Sequence, residues 1–326
     1  FSQPLFFSIM KSRQLSQRFF KEFIVDAKTQ QCGKFQDVVE IVKSDPYLDL
    51  ELRGNSVSIY YRGGRVFDIN EDGSMKEMDL KYLLDDTEKP CLQKTSIFEY
   101  ICKVKAIIDK YELKRNHLGE KEIQQRIVFE NNRSVNAEDT DYFIADVEWA
   151  DNEELGGRAD IVAFQWNHME HRKRVLKMVL IEVKQGENSL RTHLDTSKKN
   201  KEDKHTAGLF KHISDYNNFS SNIDYVKAVE TDMNMVLYQK YKMGLVRGLE
   251  KLYVDDNLPE VEISTEFLIL LANYKPYSKE LRNEIAEFKI DAKFITSCCM
   301  GYGLYHDFIF STEQLKLQMK ILFPND

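Results

Sequence analysis

The most constraining feature of this sequence is a pair of apolar segments that carry charged residues at one end. The first, GGRADIVAFQW, covers residues 156–166, and the second, RVLKMVLIEVK, covers residues 174–184. Two apolar runs that flank a polar turn are typical of a β-hairpin. Charged side chains rarely enter a protein interior unpaired, so Asp160, Glu182 and Lys184 require an explanation. They form either an ordinary ion pair at an exposed strand end or a metal site that needs both charges.

The spacing of the two segments predicts how these charges meet. A hairpin centred near residue 171 places Asp160 opposite Glu182. Side chains alternate along a strand, so Glu182 and Lys184 point to the same face. Two adjacent carboxylates repel each other unless a cation lies between them, and Mg²⁺ prefers oxygen ligands. We therefore predict that Asp160 and Glu182 bind Mg²⁺, that the carbonyl of Val183 adds a ligand, and that Lys184 lies beside a metal-bound water.

A third acid is expected from the helix predicted in GEKEIQQRIVFE, residues 119–130. Glu120 precedes Ile123 by three positions and Ile127 by seven, so it is predicted to share their apolar face. Glu122 is predicted to point outward, because it is rotated by roughly 100° from Ile123. Glu120 is therefore preferred as a further metal ligand. An acid at a helix N-terminus is also favoured by the helix dipole alone, and that explanation stays open.

The order of the predicted elements indicates an α/β fold with two domains. Residues 12–45 show helical spacing, residues 47–78 alternate in the manner of an antiparallel meander of three or four short strands, and residues 79–117 return to helical spacing. From there the order is helix, three strands, helix, strand, helix and strand, which is typical of a sheet covered by helices. We predict an N-terminal α+β accessory domain at residues 1–114 and a second domain at residues 115–326.

Composition narrows the class of protein. The net charge of −7 does not favour nucleic acid as a whole, but basic residues concentrate between Lys184 and His212. No window approaches 18 uninterrupted apolar residues, so no membrane span is expected. The five cysteines are scattered without a C-x-x-C pair, which favours a reducing, cytoplasmic compartment. Phosphate-binding glycine motifs are absent from the sequence, so use of ATP or NAD is not supported.

With these residues the chain resembles the PD-(D/E)xK nuclease superfamily, which has the restriction-endonuclease-like fold. Asp160 matches the lone acid on the second strand, and Glu182-Val183-Lys184 matches the E-x-K of the third. In FKHISDYNNF, residues 210–219, His212 and Tyr216 stand where exonuclease-like members have glutamine and tyrosine, so the glutamine is replaced. Ala159 stands where some members have proline. The resemblance covers roughly residues 115–220.

The resemblance implies a Mg²⁺- or Mn²⁺-dependent nuclease that hydrolyses phosphodiester bonds in restriction, repair or phage defence. DNA is the expected substrate, RNA is an open alternative, and the choice between endonuclease and exonuclease is open. The accessory domain would serve target recognition or dimerisation, so a homodimer also stays open. The second hypothesis is a catalytically silent binding or assembly module with the nuclease scaffold. The residues expected to contact the nucleic acid are Lys198, Lys199, Lys201, Lys204, Lys211, His212 and Tyr216.

Overall fold

The computed structural model describes residues 10–84, 89–114, 119–151, 155–166, 174–185, 190, 209–262, 264–298 and 301–324. The chain divides into two compact units. The meander unit comprises Lys11–Asp139 and Asp232–Leu258, and the large-sheet unit comprises Phe1–Met10, Thr140–Thr231 and Pro259–Asp326. The sequence placed a boundary at residue 114, whereas the first division follows Asp139 and a later segment returns to the meander unit.

The meander unit is built around the antiparallel sheet expected from the sequence. Its strands follow one another in chain order, each paired with the next. They are β1 (Leu48–Leu52), β2 (Ser56–Tyr61), β3 (Gly64–Asn70) and β4 (Met75–Glu77). The helices of its first segment are α1 (Gln17–Lys21), α2 (Gln36–Ser44), α3 (Ile97–Glu112) and α4 (Glu120–Asn132). Arg62 and Gly63 both have positive φ, as a tight turn between β2 and β3 requires.

The helical prediction for residues 12–45 was wrong over its middle third. Between α1 and α2 the chain forms a turn closed by an antiparallel bridge between Val25 and Cys32. The apolar spacing reflects an aromatic cluster rather than a helix face. The ring of Phe23 lies 5.1 Å from that of Phe19 and 5.3 Å from that of Phe35, centroid to centroid.

The large-sheet unit has the mixed α/β architecture that the sequence predicted. Its strands are β5 (Tyr142–Ala150), β6 (Arg158–Gln165), β7 (Val175–Gln185), β8 (Glu260–Val261), β9 (Glu266–Ala272), β10 (Lys293–Thr296) and β11 (Ile309–Ser311). The sheet order is β11-β10-β9-β7-β6-β5, with β8 paired to β7. The strands β5, β6 and β7 are antiparallel neighbours, and β9 runs parallel to β7. β7 therefore occupies the centre of the sheet.

Helices cover this sheet and enclose its core. They are α5 (Leu209–Ser221), α7 (Lys279–Glu287) and α8 (Thr312–Leu322), while α6 (Ile223–Lys242) is divided between the two units. Leu209, Ile285 and Leu315, from α5, α7 and α8, belong to one buried cluster with Ile269 of β9. The apolar run at residues 178–181 of β7 is wholly buried, as expected for a strand covered on both faces. No helix in the described ranges is long and apolar enough to cross a membrane.

The second half of α6 belongs to the meander unit because its polar side chains have partners there. Asp232 accepts hydrogen bonds from the hydroxyl of Ser12 and, at 2.7 Å, from the backbone N–H of Arg13. Lys240 lies 2.8 Å from Glu51 of β1, and both side chains are buried. The sequence analysis did not predict α6, because buried polar residues interrupt its apolar spacing.

Candidate functional site

The central hairpin has the register that the sequence predicted. Ile161 of β6 pairs with Ile181 of β7, and Val162 pairs with Leu180. The next positions toward the charged end are Asp160 and Glu182, which this register would place opposite each other. The connecting residues 167–173, which include His168 and His171, lie outside the described residues.

Glu182 is the most enclosed charge of this constellation. Its side chain is only 4% exposed. The Nζ of Lys184 lies 2.5 Å from Glu182 Oε1, and the Nε2 of His212 lies 3.1 Å from the same oxygen. A buried carboxylate is costly without such partners. Glu182 and Lys184 therefore form an ion pair, but the pair is largely buried and does not lie at an exposed strand end.

Asp160 is held by the backbone of the neighbouring strand. The backbone N–H of Val183 donates to Asp160 Oδ2 at 2.7 Å. This bond ties the carboxyl of Asp160 to the residue that lies between Glu182 and Lys184. The described residues thus bring together four of the predicted site residues, Asp160, Glu182, Val183 and Lys184, and add His212 to them.

Helix α5 places His212 because three contacts fix it on the sheet. Gly156, with a φ of +72°, lies so close to Asp215 that a Cβ there would overlap the Asp215 carbonyl oxygen. The ring of Phe219 packs edge-on against Trp149 of β5 at 5.8 Å, centroid to centroid. Tyr216 stacks on Phe267 of β9 at 5.1 Å.

His212 is neutral at physiological pH. Burial lowers the pKa of His212, and the positive charges of Lys184 and Arg158 act in the same direction, so that the pKa is about 4. A neutral imidazole 3.1 Å from a carboxylate oxygen must carry its proton on the nitrogen that faces it. His212 therefore donates from Nε2 to Glu182 and fixes the orientation of that carboxylate.

No protein-family model, curated protein or solved structure matches this chain. Its function must be argued from the residues themselves.

The other residues expected to contact nucleic acid are placed differently. Lys211 forms an ion pair with Asp215 at 2.8 Å, one turn along α5. The hydroxyl of Tyr216 donates to the carbonyl of Thr265 at 2.7 Å, so Tyr216 anchors α5 to β9. The four remaining lysines, Lys198, Lys199, Lys201 and Lys204, lie outside the described residues.

The predicted orientation of the two acids on α4 was wrong. Glu122 is buried and Glu120 is exposed, the reverse of what the apolar spacing indicated. The reason is Arg62, from the turn between β2 and β3, whose Nε lies 3.1 Å from Glu122, while Arg126 approaches the same carboxyl at 2.8 Å. Both acids belong to the meander unit. A role of Glu120 as third acid stays a prediction.

The donor set at the hairpin is compatible with a hydrated hard cation. Within the described ranges, no three or more His, Cys, Asp or Glu side chains cluster as a metal cage would require. Mg²⁺ does not require such a cage, since it commonly binds one or two carboxylates and keeps several waters. Asp160 and Glu182, which lie on the adjacent strands β6 and β7, supply that number of carboxylates.

The helix that follows α5 carries a buried acid that no sequence pattern singles out. Glu230 of α6 is 3% exposed, and the hydroxyl of Thr265 donates to it at 3.4 Å. Burial raises the pKa of Glu230 to about 7, although the hydrogen bond from Thr265 and the charge of Lys227 act in the opposite direction.

Replacing Glu230 with glutamine should stabilise the protein by up to about 3 kcal/mol at pH 8, and by much less at pH 5. The raised pKa means that the folded state keeps a proton that the unfolded state releases between about pH 4.5 and pH 7. The stabilising contribution of that proton is lost as the pH rises through this window, and glutamine has no such loss. Urea unfolding of both proteins from pH 5 to pH 8 measures the difference. A stability difference that stays constant with pH would contradict this expectation.

Proposed function

We propose that this chain is a metal-dependent nuclease with a restriction-endonuclease-like fold that hydrolyses the phosphodiester bonds of DNA. The observation that carries the proposal is the meeting of Asp160, Glu182 and Lys184 at one end of the central hairpin. Asp160 comes from β6 and Glu182 comes from β7, so the fold brings them together across a distance in sequence. A buried glutamate with a lysine two residues later is an expensive arrangement to keep for stability alone.

The strand order supports the same assignment. Asp160 lies on the second strand of the large-sheet unit and Glu182 and Lys184 lie on the third, as the resemblance to the PD-(D/E)xK superfamily implies. The helix that follows, α5, contributes His212 from the position at which exonuclease-like members of that superfamily have glutamine. Both side chains can hydrogen-bond to a carboxylate, so the replacement preserves a donor toward Glu182.

In this proposal, the carboxylates of Asp160 and Glu182 and the carbonyl of Val183 hold the Mg²⁺ or Mn²⁺ ion. The bound ion would supply Lewis-acid chemistry toward a water and a phosphate oxygen. Lys184 carries its proton on Nζ and offsets negative charge on the attacked phosphate. His212 holds the carboxylate of Glu182 in one orientation through its Nε2 proton. The N–H of Val183 holds Asp160, so the hairpin backbone fixes the two acids relative to each other.

The second candidate is a catalytically silent module that keeps this scaffold for binding or assembly. It is favoured by the way Lys184 and His212 already compensate the charge of Glu182. The acidic net charge of −7 points in the same direction. The two candidates differ in one measurable property, because the silent module neither binds Mn²⁺ at the hairpin nor cleaves DNA.

The deciding experiment combines cleavage with metal binding. The purified protein is incubated with supercoiled plasmid, single-stranded DNA and RNA, in Mg²⁺, in Mn²⁺ and in EDTA, and Mn²⁺ binding is followed by calorimetry. We expect metal-dependent cleavage of DNA that Asp160→Asn reduces by at least about 100-fold. Asp224→Asn, which alters an exposed acid on α6, is the matched control and should cleave like the unaltered protein. If Asp160→Asn cleaved DNA as fast as the unaltered protein, the proposed active site would be wrong. If the protein cleaved RNA but not DNA, the proposed substrate would be wrong.

A further inference from the structure

A basic residue that the sequence analysis passed over lies at the outer end of the hairpin. Arg158 is the first residue of β6 and its side chain is exposed. It precedes Asp160 by two positions, so the alternation of the strand places both side chains on the same face. Ala159 between them is buried on the other side of the strand. Arg158 thus belongs to the same face as the candidate metal ligands.

The backbone that carries Arg158 is fixed near His212. The chain turns at Gly156, which packs against the backbone of Asp215, three residues after His212 on α5. The backbone N–H of Arg158 donates to the carbonyl of Gly156 at 2.9 Å, and the N–H of Asp151 donates to the carbonyl of Gly157 at 2.8 Å. The start of β6 is therefore held in place, while the long side chain of Arg158 extends into solvent.

The charge of Arg158 is more exposed than those of three lysines in the same unit, which are held in ion pairs. Lys184 is bound to Glu182, Lys211 to Asp215, and Lys177 to Glu266. Within the described residues, Arg158 forms no ion pair with a carboxylate. An exposed cation at the rim of a buried acidic site favours the approach of an anion.

We propose that Arg158 binds a backbone phosphate of the DNA and guides it toward Asp160 and Glu182. The inference rests on the proposed function, because it gives that site its substrate-binding residue. The guanidinium group presents a planar fork of donors that matches two phosphate oxygens at once. Exposure rises along this face from Glu182 at 3%, through half-buried Asp160, to exposed Arg158. The substrate phosphate enters from the side of Arg158.

The inference is tested by DNA binding in a protein that cannot cleave. In the Glu182→Gln background, Arg158→Ala should weaken the binding of a fluorescent DNA oligonucleotide about tenfold at 100 mM salt. The slope of log K against log salt should fall by about one, because one phosphate contact is lost. Arg158→Lys should recover part of the affinity, since lysine keeps the charge and loses the fork. Fluorescence anisotropy measures all three proteins.

Two controls keep this experiment decisive. Arg247→Ala removes an exposed arginine of the meander unit and should leave the affinity within about twofold. Thermal unfolding of Arg158→Ala should match that of its parent, because the side chain is exposed. Unchanged affinity and salt slope in Arg158→Ala would overturn the inference, and tighter binding of an RNA oligonucleotide would overturn its DNA assignment. Absence of cleavage by the unaltered protein, with affinity still dependent on Arg158, would overturn the nuclease proposal and leave the phosphate contact standing.

Discussion

Lys184→Met should lose at least about 100-fold in cleavage rate while it binds Mn²⁺ more tightly than the unaltered protein. The ammonium group lies 2.5 Å from Glu182 Oε1, so it competes with a metal ion for that oxygen. Its removal takes away the charge that is proposed to act on the attacked phosphate, and it also leaves the carboxylate open to the cation. Rates of plasmid cleavage and calorimetric titration with Mn²⁺ measure the two effects separately.

The same substitution should also make the free energy of unfolding depend on bound Mn²⁺. Methionine removes the ammonium partner of the buried Glu182 and leaves its contact with His212, and breaking a buried ion pair from one side costs about 3–5 kcal/mol. Mn²⁺ should restore much of this loss, because an ion that binds only the folded state stabilises it. Urea unfolding with Mn²⁺ and with EDTA gives the comparison.

Lys177→Met is the matched control for Lys184→Met. Lys177 lies on the same strand and is also bound to a buried glutamate, Glu266, at 3.0 Å. Glu266 keeps a second lysine partner, Lys293, so the control should fold. Its cleavage rate and its affinity for Mn²⁺ should be those of the unaltered protein within a few-fold. If Lys184→Met cleaves as fast as Lys177→Met, then Lys184 has no part in the reaction and its proposed role is wrong.

The hairpin could be predicted from the sequence because the patterns that define it are local. Alternation of apolar residues fixes which side chains share a face, and the position of the turn fixes the register. Asp160 and Glu182 could therefore be paired across 22 positions of sequence without a structure. His212 could be placed near the site only through the resemblance, because a segment of more than 20 residues separates it from Glu182.

The errors came from contacts that no local pattern reports. The predicted orientation of Glu120 and Glu122 used the two isoleucines of α4 and could not include Arg62, which is 60 residues away from Glu122. Another such contact is made by Arg133, which donates to the carbonyls of Val42 and Leu48 and so ties the end of α4 to the meander unit. No role was predicted for Arg158, because an arginine after two glycines is typical of an exposed turn.

The buried pair of Lys240 and Glu51 shows most clearly what a long-range polar contact contributes. The two residues lie 189 positions apart, and their side chains are 2% and 0% exposed. Transfer of an isolated charge into such surroundings is very unfavourable, so each charge depends on the other. The pair therefore links the returning segment at residues 232–258 to β1, the edge strand of the meander sheet.

Lys240→Met should lower the free energy of unfolding by about 3–5 kcal/mol, because it leaves the carboxylate of Glu51 buried without its ammonium partner. The double variant Lys240→Met with Glu51→Leu should recover a large part of this loss, since it removes both charges and leaves apolar side chains in a buried position. Urea unfolding followed by circular dichroism measures both. Equal destabilisation by the single and double variants would show that lost packing, not an unpaired charge, sets the cost.

Lys242→Met separates the effect of burial from that of the ion pair itself. Lys242 lies two residues further along α6 and pairs with Asp256 at 3.0 Å, but these side chains are 34% and 67% exposed. Water screens such a pair, so its loss should cost less than about 1 kcal/mol. Lys240 and Lys242 lie on the same helix and form ion pairs of similar length, yet their replacement should change the free energy of unfolding by amounts that differ several-fold. If both variants were destabilised to the same extent, burial would not be what makes Lys240 important, and the helix itself would be the sensitive element.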